Sequence, residues 1–239
     1  MGKSLIQQAR GKGGPAYRSL SFRFKGDAKM RAPEAKQITG TITDFVHCPG
    51  HSAPMAEIQY EDGEICLLIA PEGAKVGDKV TMGAGATPEI NPGNVLSLKD
   101  IPEGTPIYNV ELQPGDGGRF CRSSGVFARV VSKTESFVTL MLPSKKLKNL
   151  PIDCRAIIGM VAGGGRVEKP FLKAGTRHHK ARARNKRYPR QSAAAQNAVD
   201  HPFGNKRTSR KAKQRPVGHF APPGRKVGKM WPRRTGRRK

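Results

Sequence analysis

Residues 171–239 carry 22 Lys and Arg against a single acid, Asp200. A stretch so charged cannot collapse on itself without counter-ions supplied from elsewhere. Pro189, Pro202, Pro216, Pro222, Pro223 and Pro232 interrupt it, and that density excludes a long helix. Residues 1–36 show the same bias more weakly, with 9 basic and 2 acidic residues, whereas residues 37–170 hold 13 basic and 15 acidic ones. The formal charge of +26 therefore sits at the two ends, around a middle that reads as an ordinary folded body. Only 36% of the residues are apolar, a low share for a compact enzyme. Such a chain needs a polyanionic partner, and nucleic acid is the commonest.

The remaining composition narrows the setting. No run approaches the roughly 18 consecutive apolar residues of a membrane span, so no membrane partner is expected. The start, MGKSLIQQARGKGG, lacks the apolar core of a secretory signal. Cys48, Cys66, Cys121 and Cys154 are widely spread with no CxxC pair, as thiols left reduced in the cytoplasm would be.

The middle is β-rich. Gln37–His47 alternates apolar and β-branched residues, the pattern of a half-buried strand. Ala56–Tyr60 and Glu64–Ala70 flank Asp62-Gly63, a tight-hairpin dipeptide in which both residues are expected at positive φ. Asp78–Met82, Asn94–Leu98, Gly125–Ser132, Ser136–Leu142 and Asp153–Val161 complete the predicted strands. Short strands without an amphipathic helix predict a mainly β protein built of two small barrels. The expected organisation is a basic N-terminal extension (1–36), a first barrel (37–82), a linker (83–93), a second barrel (94–170) and a basic C-terminal extension (171–239).

Three constellations could carry chemistry. Gly117-Gly118 and Gly163-Gly164-Gly165 could cradle phosphate through backbone N–H groups; Arg119, Arg122 and Arg129 follow the first pair and favour that reading there. His47, Cys48 and His51, with Cys66, could contribute to a zinc site, but no second close pair completes four ligands, so a loop without metal is expected. Asp200 beside His201 could orient a general base. Neighbouring side chains rarely meet well, however, and the pair is expected to shape a turn or contact RNA. In the C-terminal extension, Arg177, His178, Arg182, Arg184, Lys186, Arg187, Arg190, Lys206 and Arg207 are candidate RNA contacts. Tyr188 and Trp231, like Phe171, Phe203 and Phe220, supply rings for base stacking.

Five stretches then carry a more specific likeness: IAPEGAKVGDKV (69–80), IPEGTPIYNVELQPGDGGRF (101–120), RSSGVFARVV (122–131), DCRAIIG (153–159) and RYPRQSAAAQNAVDHPFG (187–204). In this order, and with the basic ends, the chain resembles the second universal large-subunit ribosomal protein family in its archaeal or eukaryote-like form. The resemblance implies an OB-fold barrel, then an SH3-like barrel, with both extensions threading into rRNA. It implies an early-binding structural protein near the peptidyl-transferase region that supports subunit association. The partners implied are large-subunit rRNA, neighbouring large-subunit proteins, and small-subunit rRNA at the subunit interface. On the family pattern Arg122, Ser123, Ser124, Gly125 and Arg129 contact rRNA, as do Asp200, His201 and Gly204. No catalytic residue, cofactor or metal is expected. Bacterial members carry a second histidine and a glycine run after DHP, where this chain has Phe203-Gly204-Asn205-Lys206. An enzyme using His201 and a general architectural nucleic-acid binder are the competing classes. A proline-rich cationic arm is poor material for the enclosed pocket an enzyme needs.

Overall fold

The computed structural model describes residues 6–33, 36–83, 90–201 and 203–204. Leu20–Leu172 forms one compact unit. A second unit joins the N-terminal residues to Ser19 with the chain from Lys173 onward.

Ten strands build the first unit: β1 (Ile38–Val46), β2 (Met55–Tyr60), β3 (Ile65–Ile69), β4 (Lys79–Met82), β5 (Val95–Ser97), β6 (Pro106–Tyr108), β7 (Ala128–Lys133), β8 (Phe137–Met141), β9 (Leu147–Pro151) and β10 (Arg155–Ile158). They form one sheet in the order β3-β2-β1-β4-β5-β10-β6-β7-β8-β9. All pairings are antiparallel except β4 with β5, which meet at Met82 and Val95. The sheet wraps two cores. Ile42, Met55, Ile58, Leu68, Ile69 and Val80 fill the first; Leu98, Ile101, Val130, Val138, Leu140 and Leu150 fill the second.

The two cores share a wall. On β5, β6 and β10 successive residues point to opposite faces, as the pleat requires. Val95, Tyr108 and Ile157 enter the first core, while Leu96, Ile107 and Ile158 enter the second. All four residues of β10 are buried, and each fully buried Ile or Leu contributes about 1.5–3 kcal/mol. The Tyr108 hydroxyl donates to the Ile69 carbonyl at 3.0 Å, and burial pushes that phenol far above its ordinary pKa.

Several expectations shift. Residues 20–33, which charge grouped with the N-terminal extension, belong to the barrel unit; Ala28 and Met30 are 0% and 5% exposed in the first core. Of the expected linker, residues 84–89 lie outside the described residues. The Asp62-Gly63 turn is looser than a two-residue hairpin. Tyr60 N–H still reaches the Glu64 carbonyl, and of the two turn residues only Gly63 has positive φ, at 85°. Strands β6 and β9 were not foreseen. The latter is an edge strand following Lys145 and Lys146, with charge where an alternating pattern would have marked it.

Among the described residues, the second unit contains two α-helices, α1 (Ile6–Gly11) and α2 (Ala174–Ala183). None of the residues of α2 is buried. It lies ahead of Pro189, the first proline of the C-terminal arm, and it lacks the apolar stripe that would have revealed it.

Candidate nucleic-acid interface

Charge divides between the units more sharply than along the sequence. Leu20–Leu172 has 18 basic and 17 acidic residues, leaving 26 basic residues and one acid in the other unit. Barrel carboxylates are engaged with barrel cations: Arg31 with Asp62 and Glu64 at 2.5 and 2.8 Å, Lys99 with Asp153, and Arg119 with Asp116. The deepest pair joins Arg155 to Glu111 at 2.6 Å.

That pair organises the loop expected to hold phosphate. Glu111 Oε1 accepts the Gly117 N–H at 3.2 Å, and Oε2 accepts the Gly115 N–H at 3.2 Å. The Gly118 N–H donates to Asp116 Oδ1 at 3.0 Å. The Gly117-Gly118 donors are thus engaged by protein carboxylates, which corrects the phosphate-cradle expectation for that pair. Arg155 Nη1 also donates to the Arg31 carbonyl at 2.9 Å, fastening residues 20–33 to the barrels. Neither Glu111 nor Arg155 stood out in the sequence, because a lone acid and a lone base 44 positions apart carry no pattern.

Residues 122–129 divide by direction. Arg122 is half-buried and donates to the Ala28 and Gly118 carbonyls at 2.6 and 3.3 Å. Burial, then nearby Arg119, pulls its guanidinium below its ordinary pKa. Ser124 accepts from Arg166 Nε through its hydroxyl and donates its N–H to the Ser52 hydroxyl. Gly125 has φ 71°, and a Cβ there would stand 2.6 Å from Gly164 Cα. These residues lock the fold locally. Arg119, Ser123 and Arg129 are exposed, and the Arg129 guanidinium lies 5.6 Å from the Phe127 ring centroid; these three face solvent, where a partner can reach them.

In the second unit Asn185 is the joint. Helix α2 ends in a Schellman turn: Lys186 N–H returns to the Ala181 carbonyl at 2.8 Å and Asn185 N–H to Arg182 at 3.0 Å, with Asn185 at φ 50°. Asn is one of the few residues that accept this left-handed position. Its side-chain amide then contacts the carbonyls of Pro15, Ala16 and Arg18 at 3.2, 3.0 and 2.8 Å, tying the N-terminal arm to the C-terminal one. Arg177 lies 5.5 Å from the Tyr188 ring centroid, and His178 meets His179 edge-on. Arg182, Lys186, Arg187 and Arg190 are exposed, and Arg184 is half-buried.

Asp200 and His201 do not form a dyad. His201 Nδ1 accepts the Phe203 N–H at 3.0 Å, which places any imidazole proton of the neutral ring on Nε2. Asp200 and His201 N–H groups both donate to the Asn197 carbonyl. Gly204 is needed for space: a Cβ there would collide with that same carbonyl, and its φ is outside the left-handed region. Lys206, Arg207, Phe220 and Trp231 lie outside the described residues. The Cys48 thiol is packed in the first core and accepts the Lys25 N–H at 3.5 Å, and no group of three or more His, Cys, Asp or Glu is placed to hold a metal among the described residues.

A nearly neutral pair of fused β-barrels joined to a separate polycationic unit defines an RNA-binding structural protein. Residues 2–82 match the family described as Ribosomal Proteins L2, RNA binding N-terminal domain, and residues 91–220 match Ribosomal Proteins L2, C-terminal domain. The large ribosomal subunit protein uL2 of Natronomonas pharaonis is 47% identical over 238 residues, covering 99% of this chain and 97% of that one. The uL2 protein of Methanococcoides burtonii is 48% identical over 239 residues, covering 100% of both. The chain belongs to the L2 family of ribosomal proteins, whose OB-fold and SH3-like barrels agree with the two-core sheet. Members of this family are structural constituents of the cytoplasmic ribosome and not enzymes.

Proposed function

We propose that this chain is an early-binding clamp on large-subunit rRNA, supporting subunit association and the architecture around the peptidyl-transferase centre. The observation that carries this reading is the division of charge: 26 cations face one acid in the arm unit, while 18 and 17 nearly cancel in the barrels. A neutral body folds by burial, without self-repulsion. A unit with so little internal counter-charge gains most from phosphate, and releases counter-ions when it binds. Arg119, Ser123 and Arg129 supply contacts from the second barrel, and Arg177, Arg182, Lys186, Arg187, Arg190 and the 197–204 turn supply them from the arm. Neighbouring large-subunit proteins and small-subunit rRNA at the interface complete the partner set. His201 holds a turn and transfers no proton.

The test is sedimentation of the full chain with large subunits through a sucrose gradient at high salt. Retention on the large subunit is expected. Release together with equal affinity for any RNA duplex would instead identify a general architectural binder.

A further inference from the structure

Where the two arms meet, Arg10, Tyr17, Asn185, Lys186, Arg187 and Arg190 line an open cleft of about 340 Å³. We propose that this cleft is a binding site for one unstacked rRNA nucleotide, its base against Tyr17 and its flanking phosphates on the surrounding cations. The inference rests on the rRNA-binding reading above and adds a specific pocket to it.

Three observations converge. Tyr17 is 41% exposed, and the Arg10 guanidinium lies 5.8 Å from its ring centroid. A cation over one face leaves a flat, electron-rich ring for a base, as in single-strand recognition. The volume falls within the range of small-ligand sites, and no carboxylate lines it. The walls are also fixed before any ligand arrives. Asn185 grips the carbonyls of Pro15, Ala16 and Arg18, and Arg18 Nε donates to the Gly13 carbonyl at 2.6 Å. Tyr17 is thereby held within a braced turn, so little ordering entropy remains to oppose binding. Inorganic phosphate would satisfy the cations and leave the ring unmatched. An acidic peptide would do the same with carboxylates. A nucleotide matches both features.

The experiment probes rRNA by ribose acylation in large subunits assembled with the full chain. Tyr17→Ala is expected to raise the reactivity of one or two adjacent nucleotides, because losing a base–aromatic stack weakens the contact by roughly tenfold. Tyr17→Phe keeps the ring and should leave them protected. Asn185→Ala, which keeps the tyrosine but loosens the brace that positions its ring, should expose the same nucleotides. Ultraviolet irradiation of unmodified subunits, which requires no variant to assemble, should attach a nucleotide to the peptide containing Tyr17. An unchanged pattern in Tyr17→Ala subunits, or irradiation products at other peptides or at a neighbouring protein but none to RNA at Tyr17, would overturn the site while leaving rRNA binding intact. Failure of the unmodified chain to join subunits at all would instead defeat the underlying reading, and this site with it.

Discussion

Glu111→Gln tests whether the barrels are held together by one buried charge pair. Glu111 is 0% exposed and Arg155 is 6% exposed. Oε1 accepts Arg155 Nη2 at 2.6 Å and Gly117 N–H at 3.2 Å. Oε2 accepts Arg155 N–H at 2.9 Å, Arg155 Nε at 3.3 Å and Gly115 N–H at 3.2 Å. Every partner is a donor. Glutamine has the same shape, but its NH₂ must replace one of these oxygens, setting donor against donor in either orientation. The substitution also leaves the Arg155 charge buried without its counter-ion. Breaking one side of such a pair costs about 3–5 kcal/mol, a large part of the 5–15 kcal/mol that typically holds a domain. Urea unfolding followed by far-UV circular dichroism is the suitable assay, because its signal comes from the strands of the barrels themselves. With a slope near 2 kcal/mol/M, the midpoint should fall by about 1.5–2.5 M. A fall below about 0.5 M at unchanged slope would equate the pair with an exposed one and refute this reasoning.

Replacing Arg187 and Arg190 together by Gln should lower the log–log salt slope of rRNA affinity by about 1.4–1.8, measured by filter binding of the full chain, with barrel unfolding unchanged. Arg31, through its hydrogen bond first, holds the exposed Asp62 carboxyl below the usual aspartate range. The stability it contributes is present at neutral pH and is lost as pH falls through that lowered value; carbon-13 titration should show the Asp62 value rising in Arg31→Met, while the Glu64 N–H still holds the carboxyl down in part. His201→Gln preserves an acceptor for the Phe203 N–H, so assembled subunits carrying it should form peptide bonds at a near-normal single-turnover rate. Loss of a general base would cost about 100-fold or more.

Legibility in the sequence followed the kind of physics involved. Strand positions such as Ile38–Val46 and Phe137–Met141 were readable because alternation is local. Strand β6 was not, since three residues beginning at Pro106 offer too short a pattern. The cationic arm was evident from counting, but its helix was hidden because α2 buries nothing. Asn185 could have been found, since an Asn after a run of helix formers is a C-terminal stop signal; that it would grip residues 15–18 is a tertiary fact. The buried pair was illegible for the same reason. Arg122 shows the limit most directly. Its place after a glycine pair suggested phosphate, yet its guanidinium holds the Ala28 carbonyl, 94 positions away in the chain, while Arg119 and Arg129 are left facing outward.

The shared wall has a consequence for how the protein can fail. Because Ile157 and Ile158 lie in different cores on one four-residue strand, neither barrel can lose β10 without opening the other. Arg155, on that strand, reaches both Glu111 in the loop carrying Arg119 and the Arg31 carbonyl in the N-terminal segment. A change in either core is therefore transmitted through strands already buried on both faces, with no intervening hinge at β10. Helix α2 of the arm unit buries no residue. Among the described residues, the Asn185 amide braces the arm against the Pro15, Ala16 and Arg18 carbonyls. Mutations in the barrels should accordingly act through stability. Under the proposed rRNA-clamp reading, mutations in the arm should leave barrel unfolding untouched and act through RNA affinity, because apolar burial holds the barrels and phosphate would neutralise the arm.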